Sequence, residues 1–273
     1  MRPAQKPAAQ PRAKGELRLS SKRQADKSAL DTLRQSGAYR ALFPRSSDRS
    51  LTSVFVNTAG GLTGGDRMSL TATAGHDSRL TLTSQAAERI YRAQSGTVAR
   101  VTTDLTIETN ARLDWLPQET ILFDRSALKR RLNVTMAASA TFLAVEPVVF
   151  GRIAMGETLQ DSLFHDDLRI TRNGELIFAD AIRLSGNVET QLAATAVANG
   201  ARALASVIYV APDAEARLPA LRALMPGTGG VSLIRPDVLF ARLLAPDSYL
   251  LRRDLIPVLE HLHNGPLPKT WTL

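Results

Sequence analysis

The residues best suited to chemistry in this sequence are carboxylates in or beside apolar, turn-rich segments. They are Asp66, Glu88, Glu119, Asp124, Glu146 and Glu157. Carboxylates are seldom fully buried in proteins unless they pair with a cation or coordinate a metal. Such side chains could line a polar path for a divalent cation. The path would hold the cation weakly, because transfer requires release as well as binding.

Arginines close to these carboxylates in sequence support a structural interpretation instead. Arg89, Arg92, Arg125 and Arg152 could each form a buried or half-buried ion pair that holds a turn. The sequence leaves this alternative open beside the cation path. A tight transition-metal site is disfavoured, because such metals commonly take imidazole or thiolate ligands and the chain has 4 histidines and no cysteine.

One histidine lies beside two carboxylates, in the segment His165–Asp167. On a strand, His165 and Asp167 would point to the same side, as in a metal site. No third ligand is evident, so we favour a solvated loop after Leu159–Phe164. No Gly-x-Ser-x-Gly segment is present, which argues against a serine hydrolase of that type.

A glycine-rich loop is the other candidate site. The glycines of Gly60–Gly65, followed by Asp66, predict a tight connection between two strands. A P-loop would need Lys and then Ser or Thr after the last glycine, where Asp66 and Arg67 stand. A dinucleotide site would need a helix next, and no helical pattern follows. A β-rich enzyme or anion-binding protein that uses this loop as an anion nest stays open as an alternative.

Composition excludes several classes of protein. The 273 residues are 44% hydrophobic, which is sufficient for a core, and without cysteine there is no disulfide framework or zinc finger. No apolar run reaches the length of about 18 residues that a membrane span needs. Residues 1–14 lack the apolar region of a secretory signal. We therefore expect a disordered basic tail over 1–14, one β domain over 15–273 and a cytoplasmic location.

The basic charge of the chain, +8 at pH 7, raises the question of a nucleic-acid partner. The basic residues are spread along the chain, with the densest run at Lys129–Arg131, and aromatic residues make up 5%. No nucleic-acid-binding motif accompanies them. We expect no nucleic-acid partner, and the charge suits acidic protein partners equally well.

Alternating apolar and polar residues predict β-strands from about Leu51 to Leu184. Met68–Ala74 and Val98–Thr109 show the pattern clearly. Asn173–Gly174 predicts a two-residue hairpin turn, because both residues tolerate positive φ. After this region, Gln191–Val197 and Arg202–Val210 are predicted as two further strands.

Helical spacing is found near the end of the chain. It predicts helices over Ala214–Met225 and Ser248–His263, the second capped by Asp247 or Ser248 and kinked or broken at Pro257. The sequence thus predicts a mainly β, sandwich-like single domain with two short α-helices near the C-terminus. Period-two patterns do not separate a sandwich from a barrel or a winding of strands.

Four segments, in this order and at these spacings, resemble the urease accessory protein family UreD, which is called UreH in some organisms. The segments are Asn57–Asp66, Thr83–Arg92, Leu113–Asp124 and Phe150–Glu157. The resemblance runs from about Gly15 to Trp271 and is strongest in the middle of the chain.

The resemblance implies a two-layered, helically wound arrangement of β-strands and a non-enzymatic role. Proteins of this family bind the urease apoprotein and recruit UreF and, through UreF, the GTPase UreG. Their complex inserts nickel into the urease active site, and GTP hydrolysis belongs to UreG. We therefore expect no tightly bound cofactor, with nickel as an ion in transit.

Two sets of site residues follow from the resemblance. For a nickel path, as is proposed for some members, we select carboxylates within the four segments: Asp66, Glu88, Glu119 and Glu157. For a UreF surface, we select apolar and aromatic residues of the C-terminal part: Tyr249, Leu255, Leu259 and Trp271. An amphipathic helix with a terminal tryptophan suits docking in a groove.

Overall fold

β-Strands make up most of this protein. The computed structural model describes residues 11–45 and 48–272. Its strands are β1 (Lys14–Gln24), β2 (Lys27–Gly37), β3 (Tyr39–Leu42), β4 (Leu51–Asn57), β5 (Arg67–Ala74), β6 (Arg79–Ser84), β7 (Glu88–Ile90), β8 (Ala99–Ile107), β9 (Arg112–Trp115), β10 (Thr120–Leu122), β11 (Ala127–Met136), β12 (Thr141–Phe150), β13 (Ser162–Arg172), β14 (Glu175–Gly186), β15 (Ala203–Val210), β16 (Gly229–Arg235) and β17 (Val238–Ala245). Its helices are α1 (Val188–Ala193), α2 (Ala214–Leu224) and α3 (Ser248–His263), with 3₁₀ turns at Ile153–Met155 and Lys269–Trp271. The expected mainly β class is confirmed.

The strands form two sheets. The first sheet has the order β14-β13-β11-β8-β5-β1-β2, and the second has the order β16-β17-β15-β12-β9-β6-β4-β3, with β10 and β7 joined beside β12. In the first sheet, β5, β8, β11 and β13 are parallel. In the second sheet, β4, β6, β9 and β12 are parallel.

The chain alternates between the two sheets as it advances. It passes from β4 in the second sheet to β5 in the first, and returns to β6. The same alternation continues through β8, β9, β11, β12 and β13. Parallel neighbours need a crossover connection, and here a strand of the opposite sheet provides it. The expected two-layered helical winding is therefore confirmed.

Apolar residues fill two cores, one on each side of the second sheet. The inter-sheet core lies between the sheets and includes Leu70, Phe142 and Phe164. The helix-side core lies between the second sheet and the helices α2 and α3, and includes Leu143 and Leu255. Because the second sheet is covered on both faces, almost every position of β12 is buried, and its sequence does not alternate.

Several local predictions are confirmed by the structure. Asn173 and Gly174 have φ values of 50° and 83° and form the turn between β13 and β14. The helix predicted over Ser248–His263 is α3, and the Asp247 side chain accepts a hydrogen bond of 2.8 Å from the Leu250 N–H. This cap satisfies one of the free N–H groups at the helix start.

Two local predictions differ from the structure. The strand predicted over Gln191–Val197 is wrong, because this part of the chain forms α1 and the turns after it. Asn187 caps α1 by accepting from the Thr190 N–H at 2.9 Å, a local bond that the alternation of apolar residues does not reveal. Of the kink or break predicted at Pro257, the break is wrong, since α3 continues through the proline. Leu255 and Leu259 anchor the helix on both sides of the proline.

The predicted tail, 1–14, falls mostly outside the described residues. Of its last residues, Lys14 begins β1, and the Ala13 N–H donates to the Asp66 carboxylate at 2.8 Å. Among the described residues, no helix combines the length and the apolar character needed to cross a bilayer.

Candidate functional site

A cavity of about 220 Å³ lies between the two sheets. Because successive residues of a strand point to opposite faces, each strand contributes its inward positions to the wall. Val101 and Leu128 come from the first sheet, and Phe55 and Trp115 come from the second. The segment 84–90 closes one side of the cavity.

Aromatic side chains form the apolar part of the wall. The rings of Phe55 and Trp115 stack with their centroids 5.4 Å apart, and Tyr39 meets Phe55 edge-on at 6.2 Å. Such pairs hold one another in fixed geometry. The Trp115 Nε1 donates to Glu146 Oε1 at 2.6 Å, so the aromatic wall also orients a carboxylate.

Arg130 crosses from the first sheet to the second beside the cavity. It leaves β11 on the inward face, and its Nη1 lies 2.5 Å from Glu146 Oε2 on β12 and 3.1 Å from the Thr120 hydroxyl. Its Nε and Nη2 donate to the two oxygens of Asp166 at 2.9 and 2.6 Å. Burial raises the pKa of Glu146, and the charge of Arg130 opposes that rise. The guanidinium thus compensates both carboxylates.

Glu88 is the carboxyl group of the cavity wall without a cationic partner among the described residues. The Asn57 Nδ2 donates to both of its oxygens at 3.1 Å. Burial raises the pKa of Glu88 to about 7, the Asn57 bond opposes the rise, and the nearby Asp66 adds to it. Near neutral pH, this group can therefore gain or lose a proton at small cost.

The glycine-rich loop positions this end of the cavity. Gly61 has a φ of 140°, and a Cβ there would lie 2.3 Å from the Tyr91 ring and 2.7 Å from the Arg89 carbonyl oxygen. The Leu62 N–H donates to the same carbonyl at 2.8 Å. Only glycine permits this close approach of the loop to the strand that carries Glu88.

Asp66 holds the loop from within. It is 4% exposed, and its two oxygens accept from the Thr63 and Ala13 N–H groups at 2.7 and 2.8 Å. The chain's own carboxylate therefore occupies the position that an external anion would take in a nest. No observation in this loop favours the alternative of an anion-binding enzyme.

Comparison with known proteins identifies the family. A model described as "UreD urease accessory protein" matches residues 13–272. The chain belongs to the UreD family. It is 51% identical to the urease accessory protein UreD of Roseobacter denitrificans, over 98% of this chain and 97% of the relative. The proteins of the same name from Ruegeria pomeroyi and Rhizobium etli are 50% and 47% identical, over 94% and 96% of this chain and 100% and 96% of their own.

The four selected carboxylates are not brought to one place. Glu88 lines the cavity and Asp66 lies close to it, whereas Glu119 and Glu157 are bound to arginines. The Glu119 Oε1 accepts from Arg252 Nη1 at 2.9 Å. Among the described residues, no group of three or more His, Asp or Glu side chains could hold a metal ion.

Glu157 is held by Arg152, as the local ion-pair alternative predicts. The Arg152 Nε and Nη2 donate to its two oxygens at 2.9 and 2.8 Å. The N–H groups of Arg152 and Asp124 add bonds of 2.9 and 3.2 Å. These contacts, the Arg152 bond first, lower the pKa of Glu157 to about 2. The carboxylate fixes a turn near the surface.

The C-terminal residues selected as a partner surface need a correction. Leu255, Leu259 and Trp271 are at most 1% exposed, because the chain's own helix-side core covers them. The Trp271 Nε1 donates to the Leu116 carbonyl at 2.9 Å. Three of the four residues therefore cannot form an exposed surface in this conformation. Tyr249, which is 75% exposed, remains available to a partner.

The segment His165–Asp167 is not the solvated loop that we favoured, because it lies within β13. Alternation places His165 and Asp167 outward and Asp166 inward, where Asp166 binds Arg130. The sequence therefore missed the cluster of Arg130, Glu146 and Asp166. The one available signal was that Arg130 falls on the inward side of an alternating strand.

Proposed function

We propose that this protein is a non-catalytic urease maturation factor in the cytoplasm that binds the urease apoprotein and acts with UreF and the GTPase UreG. In this proposal UreG hydrolyses GTP, and nickel is the ion delivered to the urease active site. Membership of the UreD family over residues 13–272 supports this role. The structural observation that carries it is the cavity between the sheets, with its uncompensated carboxyl group at Glu88.

The proposed nickel path runs through this cavity. Carboxyl and amide oxygens from Glu88, Asn57 and Gln118 line it, and histidine is absent from the described lining. Oxygen ligands hold nickel less firmly than imidazole or thiolate does. An ion that must be passed on is better served by such weak contacts than by a complete set of ligands.

Of the four carboxylates selected from the sequence, we keep Glu88 on the path and place Asp66 beside it. Glu119 binds Arg252 and Glu157 binds Arg152, so we assign these two carboxylates structural roles instead. A carboxylate already bound to a guanidinium must break that pair before it can bind nickel. Glu88 has no ion pair to break, because its hydrogen bonds come from the neutral Asn57 amide and the Arg89 backbone.

The exposed face of α3 is the proposed contact for UreF. Tyr249 stands in the first turn of α3 and is 75% exposed, while the opposite side of the helix is buried. A large aromatic side chain exposed on a rigid helix suits a binding hot spot. Tyr249→Ala is therefore expected to weaken capture of UreF without unfolding the chain.

The deciding experiment compares Glu88→Gln with Glu215→Gln in cells that co-express urease, UreF and UreG. Glu215 is an exposed carboxylate at the start of α2, away from the cavity lining. Pull-down and sizing report complex assembly, while urease activity and its nickel content report transfer. We expect both variants to assemble the complex, and Glu88→Gln to lower activation by about ten-fold or more, as a loss of about 1.4 kcal/mol would.

The possible outcomes separate two claims. Full activation by Glu88→Gln would remove Glu88 from the nickel path and leave the maturation role in place. A wild-type chain that is soluble and captures neither UreF nor urease would overturn the maturation role itself.

A further inference from the structure

A line of basic residues crosses the outer face of the first sheet. The strand registers place one such residue on each of six adjacent strands: Lys14, Arg67, Arg100, Lys129, His165 and Arg183. We call these residues the basic row. No two of them are neighbours in sequence, so only the pairing of the strands creates the row.

The basic row points away from the core. Its sequence neighbours Met68, Ala99, Leu128 and Phe164 are all buried between the sheets. Because side chains alternate between the faces of a strand, the row itself faces outward. Its residues are exposed, except that Lys129 and His165 are half-buried.

The described part of the chain leaves most of the row without a negative partner. Arg183 pairs with Asp167, but Lys14, Arg67, Arg100 and Lys129 have no ion pair among the described residues. Like charges directly opposite one another on neighbouring strands repel. The pKa of His165 is lowered, by burial first and then by the charges of Arg183 and Lys129. The described residues do not balance this positive charge, so an anionic partner would relieve the repulsion.

The shape of the row determines which anion fits. Neighbouring strands are about 4.8 Å apart, so six strands place the charges along a line of about 24 Å. An α-helix advances about 5.4 Å per turn. A helix lying across the strands, with one carboxylate per turn on one side, would therefore set about one carboxylate against each strand.

The surroundings of the row favour a helix over other anions. The next outward positions hold small residues at Ser69, Thr102 and Ala181, the carboxylates Glu16 and Asp167, and one exposed cation, Arg131. Apart from Arg131, these neighbouring positions carry no positive charge, so the cations form a line more than a broad patch, which suits a helix better than an anionic bilayer. Single-stranded nucleic acids are commonly bound on aromatic side chains, and none stands in the row.

We propose that the basic row is a docking site for an acidic α-helix of a partner protein, laid across the strands of the first sheet. The helix presents a line of Glu or Asp side chains, one per turn. This site is separate from the cavity, and the proposal does not depend on nickel passing through it.

A designed peptide tests the proposal with the full-length chain. The probe is a labelled Ala- and Gln-rich helix of about 16 residues, which spans about 24 Å, with one Glu per turn on a single face. A second peptide of equal composition has its Glu residues spread around the helix. Binding is measured by fluorescence anisotropy at low ionic strength, where exposed charges are screened least.

Two triple variants with equal loss of charge separate the row from general attraction. Arg67→Gln, Arg100→Gln and Lys129→Gln remove the centre of the row. Lys27→Gln, Arg34→Gln and Arg169→Gln remove the same charge elsewhere on the first sheet, from exposed strand positions. Circular dichroism and urea unfolding confirm that both variants fold, as exposed substitutions allow.

The wild type and the control variant are expected to bind the one-faced peptide about ten-fold more tightly than the row variant does, because several weak charge pairs are lost together. They are also expected to prefer it to the peptide with spread charges. Equal weakening in both triple variants, or no preference between the peptides, would overturn the proposal. Tighter binding of a single-stranded oligonucleotide or of phosphatidylserine vesicles than of the one-faced peptide would overturn it too.

Discussion

The helix-side core and the inter-sheet cavity differ in the partner that each provides for a buried carboxyl group. On the helix side, Glu119 binds Arg252, whose guanidinium also lies 5.0 Å from the Trp271 ring and donates to the Trp271 carbonyl. In the cavity, Glu88 has the neutral Asn57 amide as its partner. The first arrangement joins α3 and the Lys269–Trp271 turn to the segment between β9 and β10. The second leaves a buried carboxyl group without a cationic partner among the described residues, an arrangement that is common at functional sites.

Trp271→Ala should produce the largest effect, because it empties a site in the helix-side core. Trp271 is 1% exposed, and loss of a buried tryptophan costs about 3–5 kcal/mol of the free energy of unfolding. Urea unfolding measures the change. The matched control is Tyr249→Ala, an exposed aromatic residue, which should change stability by no more than about 0.5 kcal/mol. Equal values for the two variants would mean that the C-terminus does not dock in solution.

Glu88→Gln should have the next largest effect, and it should stabilise the protein. The pKa of Glu88 rises from an ordinary 4.5 to about 7 in the folded state. Protonated Glu88 suits the buried site, so the stability linked to this group is fully present below pH 4.5. That stability is lost as the pH rises through about 7 and the carboxyl group of the folded protein ionises. Glutamine does not ionise, so the variant keeps its stability as the pH rises. Above pH 7 it should be more stable than the wild type by up to about 3 kcal/mol.

The measurement for Glu88→Gln is urea unfolding of both proteins between pH 5 and pH 8. The expected result is a difference in stability that grows with pH and then levels off. Parallel curves for the two proteins would show that Glu88 ionises freely, and the contrast between the two regions would disappear.

Arg252→Met should destabilise the protein by about 2 kcal/mol. Breaking a fully buried ion pair would cost more, but the Arg252 side chain is 22% exposed. The change leaves Glu119 buried without its cation and so makes the helix side resemble the cavity. In the double variant with Glu119→Gln, part of the loss should be recovered. A double-mutant cycle measures this coupling, and simple additivity would contradict the proposed pair.

Glu157→Gln should have the smallest effect, with a pH dependence opposite to that of Glu88→Gln. The pKa of Glu157 falls from 4.5 to about 2 through Arg152. Its contribution is present above pH 4.5 and is lost as the pH falls toward 2. Near pH 7, the variant should be less stable by about 1 kcal/mol, because water screens a pair near the surface. A difference that persists unchanged at pH 3 would contradict this assignment.

Local contacts are where prediction from sequence was most successful. The turn at Asn173–Gly174 and the Asp247 cap each depend on residues a few positions apart. The pairing of Arg152 with Glu157 spans five positions, and it was open to prediction for the same reason. The helix α1 was missed because its cap at Asn187 outweighed a weak alternation of apolar residues.

Distant contacts are where prediction failed. Arg252 lies 133 positions from Glu119, and Asp166 lies 36 positions from Arg130. Leu255 and Leu259 lie on the apolar face of α3 and Trp271 lies in the 3₁₀ turn that follows, and the helix-side core buries all three. Which side of a helix meets a partner depends on what already covers it, and spacing along the chain does not show this.

The sequence by itself determined the mainly β class, most of the strands of the winding, the two C-terminal helices and the family. These depend on periodicity and on short segments, whose physical basis is local backbone preference and the two faces of a strand. Only the tertiary structure decided that, among the residues it describes, Glu88 lacks a cation, Glu119 has one, and four unpaired cations align across the first sheet. Those outcomes depend on strand register and on burial, which bring together residues far apart in the chain.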